Sequence, residues 1–137
     1  MSNVTAMINI DMIGRNWADS VAAIGKEEST LGTTIDRVAA DHPELGMEVV
    51  DDQWPDERFY FRSDHYNFAR QGVPILFFFT GTHEDYHRPS DEPERIGYEK
   101  MTRITRLLYY LGLDVANAPE RPEWDEAAYR RVVEGGS

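Results

Sequence analysis

The 137-residue chain contains no cysteine, which excludes disulfides and thiolate metal sites. Any metal it binds must be held by His, Asp or Glu. No apolar run approaches the roughly 18 residues that a membrane-crossing helix requires, so no membrane partner is expected. The first residues, MSNVTAMINIDMIG, carry neither a basic region nor a long apolar stretch, so no secretory signal is read in them and the compartment stays undetermined. Basic residues are scarce: 14 Lys and Arg stand against 25 Asp and Glu, for a formal charge of -11. Like charge raises the cost of approaching a phosphate backbone, and no basic stripe offsets it, so nucleic acid is not an expected partner. Internal repeats and low-complexity blocks are absent.

What remains is a chain of one-domain length, 41% hydrophobic and 12% aromatic, able to bury a core. Thr5 to Met12 reads as a short strand closed by Gly14, with Asp11 at its end. Residues 29–41 place Leu31, Ile35, Val38 and Ala39 at helical spacing behind Ser29 or Thr30 as N-cap, and His42-Pro43 stops that helix. Gly46 to Val50 is a brief strand candidate, and DDQWPDE after it a loop. SDHYNFARQG, from Ser63, reads as a helix capped by Ser63 and stopped by Gly72. The five large apolar residues Ile75 to Phe79, between Pro74 and Gly81, suit a strand covered on both faces. A last helix, Tyr98 to Leu111, carries Met101, Ile104, Leu107, Leu108 and Leu111 on one stripe and is expected to end at Gly112. The alternation predicts an α/β fold, a layered open sheet of about three strands with flanking helices. Residues 1–116 form the domain on this reading. Residues 117–137 form a tail rich in Pro and charge, in which Trp124, Ala128 and Val132 make a short amphipathic helix.

The stretch THEDYHRP contains His83-Glu84-Asp85-Tyr86-His87, a literal H-E-x-x-H. In a zinc helix of that pattern the two histidines share one face and the glutamate serves as general base. Here the segment follows directly on an apolar strand and Gly81 and runs into Pro89, which leaves about one and a half turns of helix and no apolar stripe to seat it. A loop is the better reading. A loop beyond the carboxyl end of a buried strand, carrying His83, Glu84, Asp85, His87 and Asp91, is a place where open α/β sheets bind ligands; solvated loop polars with Tyr86 packed inward would read the same way.

Three passages in order, MINIDMIGRN, RSDHYNFARQGVPILFFFTGTHEDYHRPSDEPERI and the helix that follows, resemble the second half of the M28 family of zinc-dependent, aminopeptidase-like peptidases. The pattern N-x-D-M-x-G, S-D-H, G-[IV]-P, apolar strand, T-G-x-H-x-D-Y-H-x-P-x-D covers about Ala6 to Leu111. The resemblance implies two zinc ions bridged by an aspartate and a water, with Asp11 a ligand of one and His87 a ligand of the other. It makes a peptide the substrate. It places Asp64 and His65 near the substrate pocket, where helix capping would explain Asp64 equally well. Asp85, Tyr86 and Asp91 fall in the motif, and the two aspartates are expected to shape the loop or orient an imidazole.

The same resemblance implies a histidine ligand in H-x-D, a bridging aspartate and a Glu-Glu pair holding the general base, and none of these can be located. The one Glu-Glu, Glu27-Glu28, follows the N-x-D-M motif instead of preceding it. No catalytic residue is therefore assigned in this chain. It is expected to be the C-terminal part of a peptidase domain, binding zinc weakly or not at all and inactive alone. A strand cut from its sheet presents an open edge, which predicts self-association through that edge or a cover supplied by the tail around Trp124. A binding module of the same fold without metals, and a zinc acyltransferase resembling the enzymes that cyclise N-terminal glutamine, are the alternative functions.

Overall fold

The computed structural model describes residues 1–135; Gly136 and Ser137, the end of the expected tail, lie outside the described residues. Four short strands, β1 (Met7–Ile10), β2 (Ser20–Ile24), β3 (Glu48–Val50) and β4 (Ile75–Phe79), form one sheet in the order β1-β4-β2-β3. β1 runs parallel to β4 with Ile10 opposite Phe78, β3 runs parallel to β2, and β2 meets β4 antiparallel with Ala23 opposite Phe78. The helices are α1 (Leu31–Asp41), α2 (His65–Ala69), α3 (Tyr98–Asn117) and α4 (Glu126–Tyr129).

The pleat of β4 divides its five buried side chains between two cores. Leu76 and Phe78 face α1 and α3, whose Leu31, Ile35, Val38, Ile104, Leu107, Leu108 and Leu111 close that layer. Ile75, Phe77 and Phe79 face the other way, against Phe59, Tyr60, Ala69 and Val132. A strand covered on both faces is what the unbroken apolar run predicts.

The layered open sheet expected from the sequence is present, and three details need correction. Where about three strands were expected there are four, because Ser20–Ile24, which no sequence signal marked, pairs with both β4 and β3. β1 is shorter than Thr5–Met12, and Asp11 stands one residue past its end. Helix α2 begins at His65, where neither Ser63 nor Asp64 caps it with a side chain. Helix α3 passes through Gly112 to Asn117, since a glycine stops a helix only where it turns left-handed and Gly112 does not; Ala118, extended ahead of Pro119, is the stop.

β1 forms one edge of the sheet, with β4 its single neighbour among the described residues. No described residue of the tail pairs with that edge. Trp124 instead bridges to Ser29 and donates Nε1–H to the Gly72 carbonyl at 2.9 Å, so the tail closes the second core.

Candidate metal-ligand site

Parallel β1 and β4 deliver their carboxyl ends side by side, and both candidate ligands leave from there. The Asp11 amide extends the ladder to the Phe78 carbonyl at 3.2 Å. One residue on, the Met12 carbonyl accepts from the Thr80 amide at 3.2 Å and from the Thr80 hydroxyl at 2.7 Å, locking the two strand ends together. The Asp11 side chain is exposed beyond this lock.

Behind Asp11 runs a hydrogen-bond chain with a fixed direction. His65, fully buried and stacked on Phe77, has Nε2 2.7 Å from the Tyr60 carbonyl. A carbonyl only accepts, so Nε2 carries the proton and Nδ1 is left to accept from the Asn9 amide at 3.2 Å. Burial pushes the His65 pKa down, which keeps the ring neutral in this role. The same Asn9 nitrogen donates to Ser63 Oγ at 3.1 Å, and Ser63 donates onward to Asp11 Oδ2 over a long 3.4 Å. The two motif words N-x-D and S-D-H are thus one network, joining β1 to the start of α2. His65 acts through that network from within the core, while Asp64 is exposed and its carboxylate caps nothing.

The loop after β4 carries the second candidate. Gly81, at φ 88°, lies so close to Trp54 that a Cβ would sit 2.6 Å from the indole. Asn16 Nδ2 donates to the carbonyls of Thr80 at 2.8 Å and Thr82 at 3.0 Å. From Glu84 onward the backbone forms consecutive turns rather than a helix, as the position of Pro89 implies, so the H-E-x-x-H match has no helical face. His87 is exposed, its φ of 57° is left-handed, and its ring stacks on Tyr86 at 3.9 Å. A side chain held in that region costs local energy that the surroundings must supply.

Asp85 supplies it. This buried carboxylate accepts from Ser90 Oγ at 2.7 Å and from Arg15 at 2.8 Å, with Arg95 at 3.3 Å. Arg15 also donates to Asp91 Oδ1 at 3.2 Å. The two motif aspartates therefore serve the loop through Arg15. The imidazole beside Asp91 is that of His83, with Nε2 4.0 Å from Asp91 Oδ2 and a buried Nδ1 that has no partner among the described residues. Arg15 escaped sequence reasoning because its acids lie 70 and 76 residues away. The Ser90 hydroxyl, then the Arg15 guanidinium, hold the Asp85 carboxyl below its ordinary range. An unfolded aspartate titrates near about 4, so the anchor contributes fully above that range and is lost as pH falls through the lower folded value. Asp85→Asn is accordingly expected to flatten the acid limb of a stability-versus-pH curve measured by thermal melting. An unchanged acid limb would show that Asp85 is not a linked group.

Carboxylate and imidazole are the right donor types for zinc, but a catalytic zinc takes three protein ligands and an open position. Among the described residues no three His, Asp or Glu side chains converge to hold a metal.

Comparison with known proteins agrees with this arrangement of strands and loops. Residues 1–112 match the model of peptidase family M28. No curated protein matches the chain. The fold is similar to that of the aminopeptidase from Aneurinibacillus sp. strain AM-1, with a TM-score of 0.61 at 20% sequence identity over 82% of this chain. The matched region is 26% of that aminopeptidase chain, so the present chain spans about a quarter of its length.

Proposed function

Because the chain belongs to peptidase family M28, we propose that it is the part of a di-zinc aminopeptidase domain that presents one ligand to each metal, Asp11 to one zinc and His87 to the other. The observation that supports this reading is the delivery of both residues from the carboxyl ends of two adjacent parallel strands, the place where open α/β sheets bind their ligands. A zinc pair of this class would supply an activated water and polarise the scissile carbonyl of a peptide. This chain's own part is to hold the donors. Ser63, directed by Asn9 and His65, holds the Asp11 carboxylate. The Arg15–Asp85 anchor holds the turn that carries His87.

The remaining ligands and the general base lie outside these 137 residues on this reading, so the isolated chain does not cleave peptides. Calorimetric titration with zinc is expected to show no tight one-to-one site, and an aminoacyl chromogenic substrate to stay intact. Sub-micromolar zinc binding by the isolated chain would overturn this division of the site. The β1 edge, unpaired among the described residues and with Ile10 49% exposed, is the surface through which the isolated chain self-associates on the same reading. Light scattering is expected to show mass rising with concentration; a strict monomer at high concentration would remove that part.

A further inference from the structure

Cations are in the minority in this chain, yet four of them line one cavity. It has a volume of about 350 Å³ and lies between the Gly14–Ala18 loop after β1 and the start of α3, walled by Arg15, Arg95, Lys100 and Arg103, with Glu99 the one acid in its lining. Three of the four have acidic company. Arg15 and Arg95 grip Asp85 at 2.8 and 3.3 Å, and Arg103 reaches Asp19 at 3.0 Å. Arg103 Nε, 3.4 Å from Glu99 Oε1, is buried and makes no hydrogen bond.

Lys100 is different. It is 5% exposed and forms no ion pair among the described residues, its Nζ donating to the Arg15 carbonyl. An ammonium has three donors, and a buried charge without a counter-charge is costly. Burial and the neighbouring Arg103 draw the Lys100 pKa down to about 8. Helix α3 starts at this spot with Gly97 and no side-chain cap, so the positive end of its dipole faces the same space.

We propose that this cavity binds a small oxyanion, phosphate, sulfate or carboxylate, with the Lys100 ammonium as its central partner. The site is separate from the proposed zinc ligands and does not rest on that reading. Its link to them is Arg15, whose carbonyl holds Lys100 while its guanidinium anchors the loop carrying His87.

Calorimetric titration of the full chain with sodium sulfate, and with sodium acetate at matched ionic strength, tests the proposal. One of the two is expected to bind saturably, sulfate marking a tetrahedral oxyanion and acetate a carboxylate. Lys100→Met should weaken that binding about tenfold or more, the loss expected for a charged hydrogen bond. Raising the pH from neutral to well above 8 should weaken binding of that same anion as Lys100 loses its proton. The other charged groups facing the cavity are Arg15, Arg95, Arg103 and Glu99. The pH series on the unaltered chain decides the matter even if Lys100→Met does not fold. Absence of saturable binding by either anion, equal affinity in Lys100→Met, or affinity unchanged across the pH series would each overturn the proposal.

Discussion

Truncation after Asn117 is expected to lower folding stability by about 3–5 kcal/mol, because the tail is part of the core rather than an appendage. Val132 is 1% exposed and Ala128 2%, and Val132 enters the layer beneath the sheet, where it joins Ile24, Tyr60, Ala69 and Phe77. The chain is led there by a short ladder: the Thr30 amide donates to the Glu123 carbonyl at 2.9 Å, the Glu123 amide to Thr30 Oγ1 at 2.9 Å, and the Asp125 amide to the Glu28 carbonyl at 2.8 Å. Asp125 then caps α4 by accepting from the Ala128 amide at 2.9 Å. Trp124 adds its indole hydrogen bond to Gly72, where α2 hands over to β4. Losing these contacts uncovers Ile24 and Tyr60 to water at once. Natural domains are stable by about 5–15 kcal/mol, so the truncated chain would sit near its unfolding limit. Urea denaturation of the two lengths side by side measures the difference. A loss below about 1 kcal/mol would mean that the tail is only resting on the surface.

The elements that the sequence announced are those whose pattern is local. Ile75–Phe79 is a strand because five large apolar residues between Pro74 and Gly81 have no other way to be buried, and α1 and α3 follow from apolar residues three and four apart. The missed strand, SVAAI, carries two alanines, which have little strand preference of their own, and it is fixed by pairing with β4 and β3 rather than by its composition. The candidate site divides in the same way. Asp11 and His87 stand out because a motif surrounds each and a strand end precedes each. Ser63 suggested only a helix cap, yet its hydroxyl lies between Asn9 and Asp11 across a separation of more than fifty residues, and nothing beside it could show that. Arg15 follows Gly14 with no apolar period or cap around it, so its grip on Asp85 and Asp91 emerges only when the two strand ends meet.

Phe78→Ala is expected to cost about 3–5 kcal/mol, the range for truncating a fully buried aromatic. Phe78 is 0% exposed on the strand that pairs on both sides, opposite Ile10 of β1 and Ala23 of β2, and its ring fills the layer under α1 and α3. Neighbouring strands and helices cannot all collapse into the space it leaves, because each is held by its other contacts. Tyr109→Ala is the control: at 63% exposure on α3 it should change stability by no more than about 0.5 kcal/mol. The consequence reaches the proposed ligands through the backbone. The Asp11 amide bonds to the Phe78 carbonyl, and the Thr80 amide bonds to the Met12 carbonyl, so the bonds that position Asp11 and the His87 loop belong to the same strand pair. Hydrogen exchange at those two amides should therefore speed up in Phe78→Ala in step with the fall in global stability. If the Asp11 and Thr80 amides kept their full protection while the urea midpoint fell, the strand ends would be held by something other than the β1–β4 pairing.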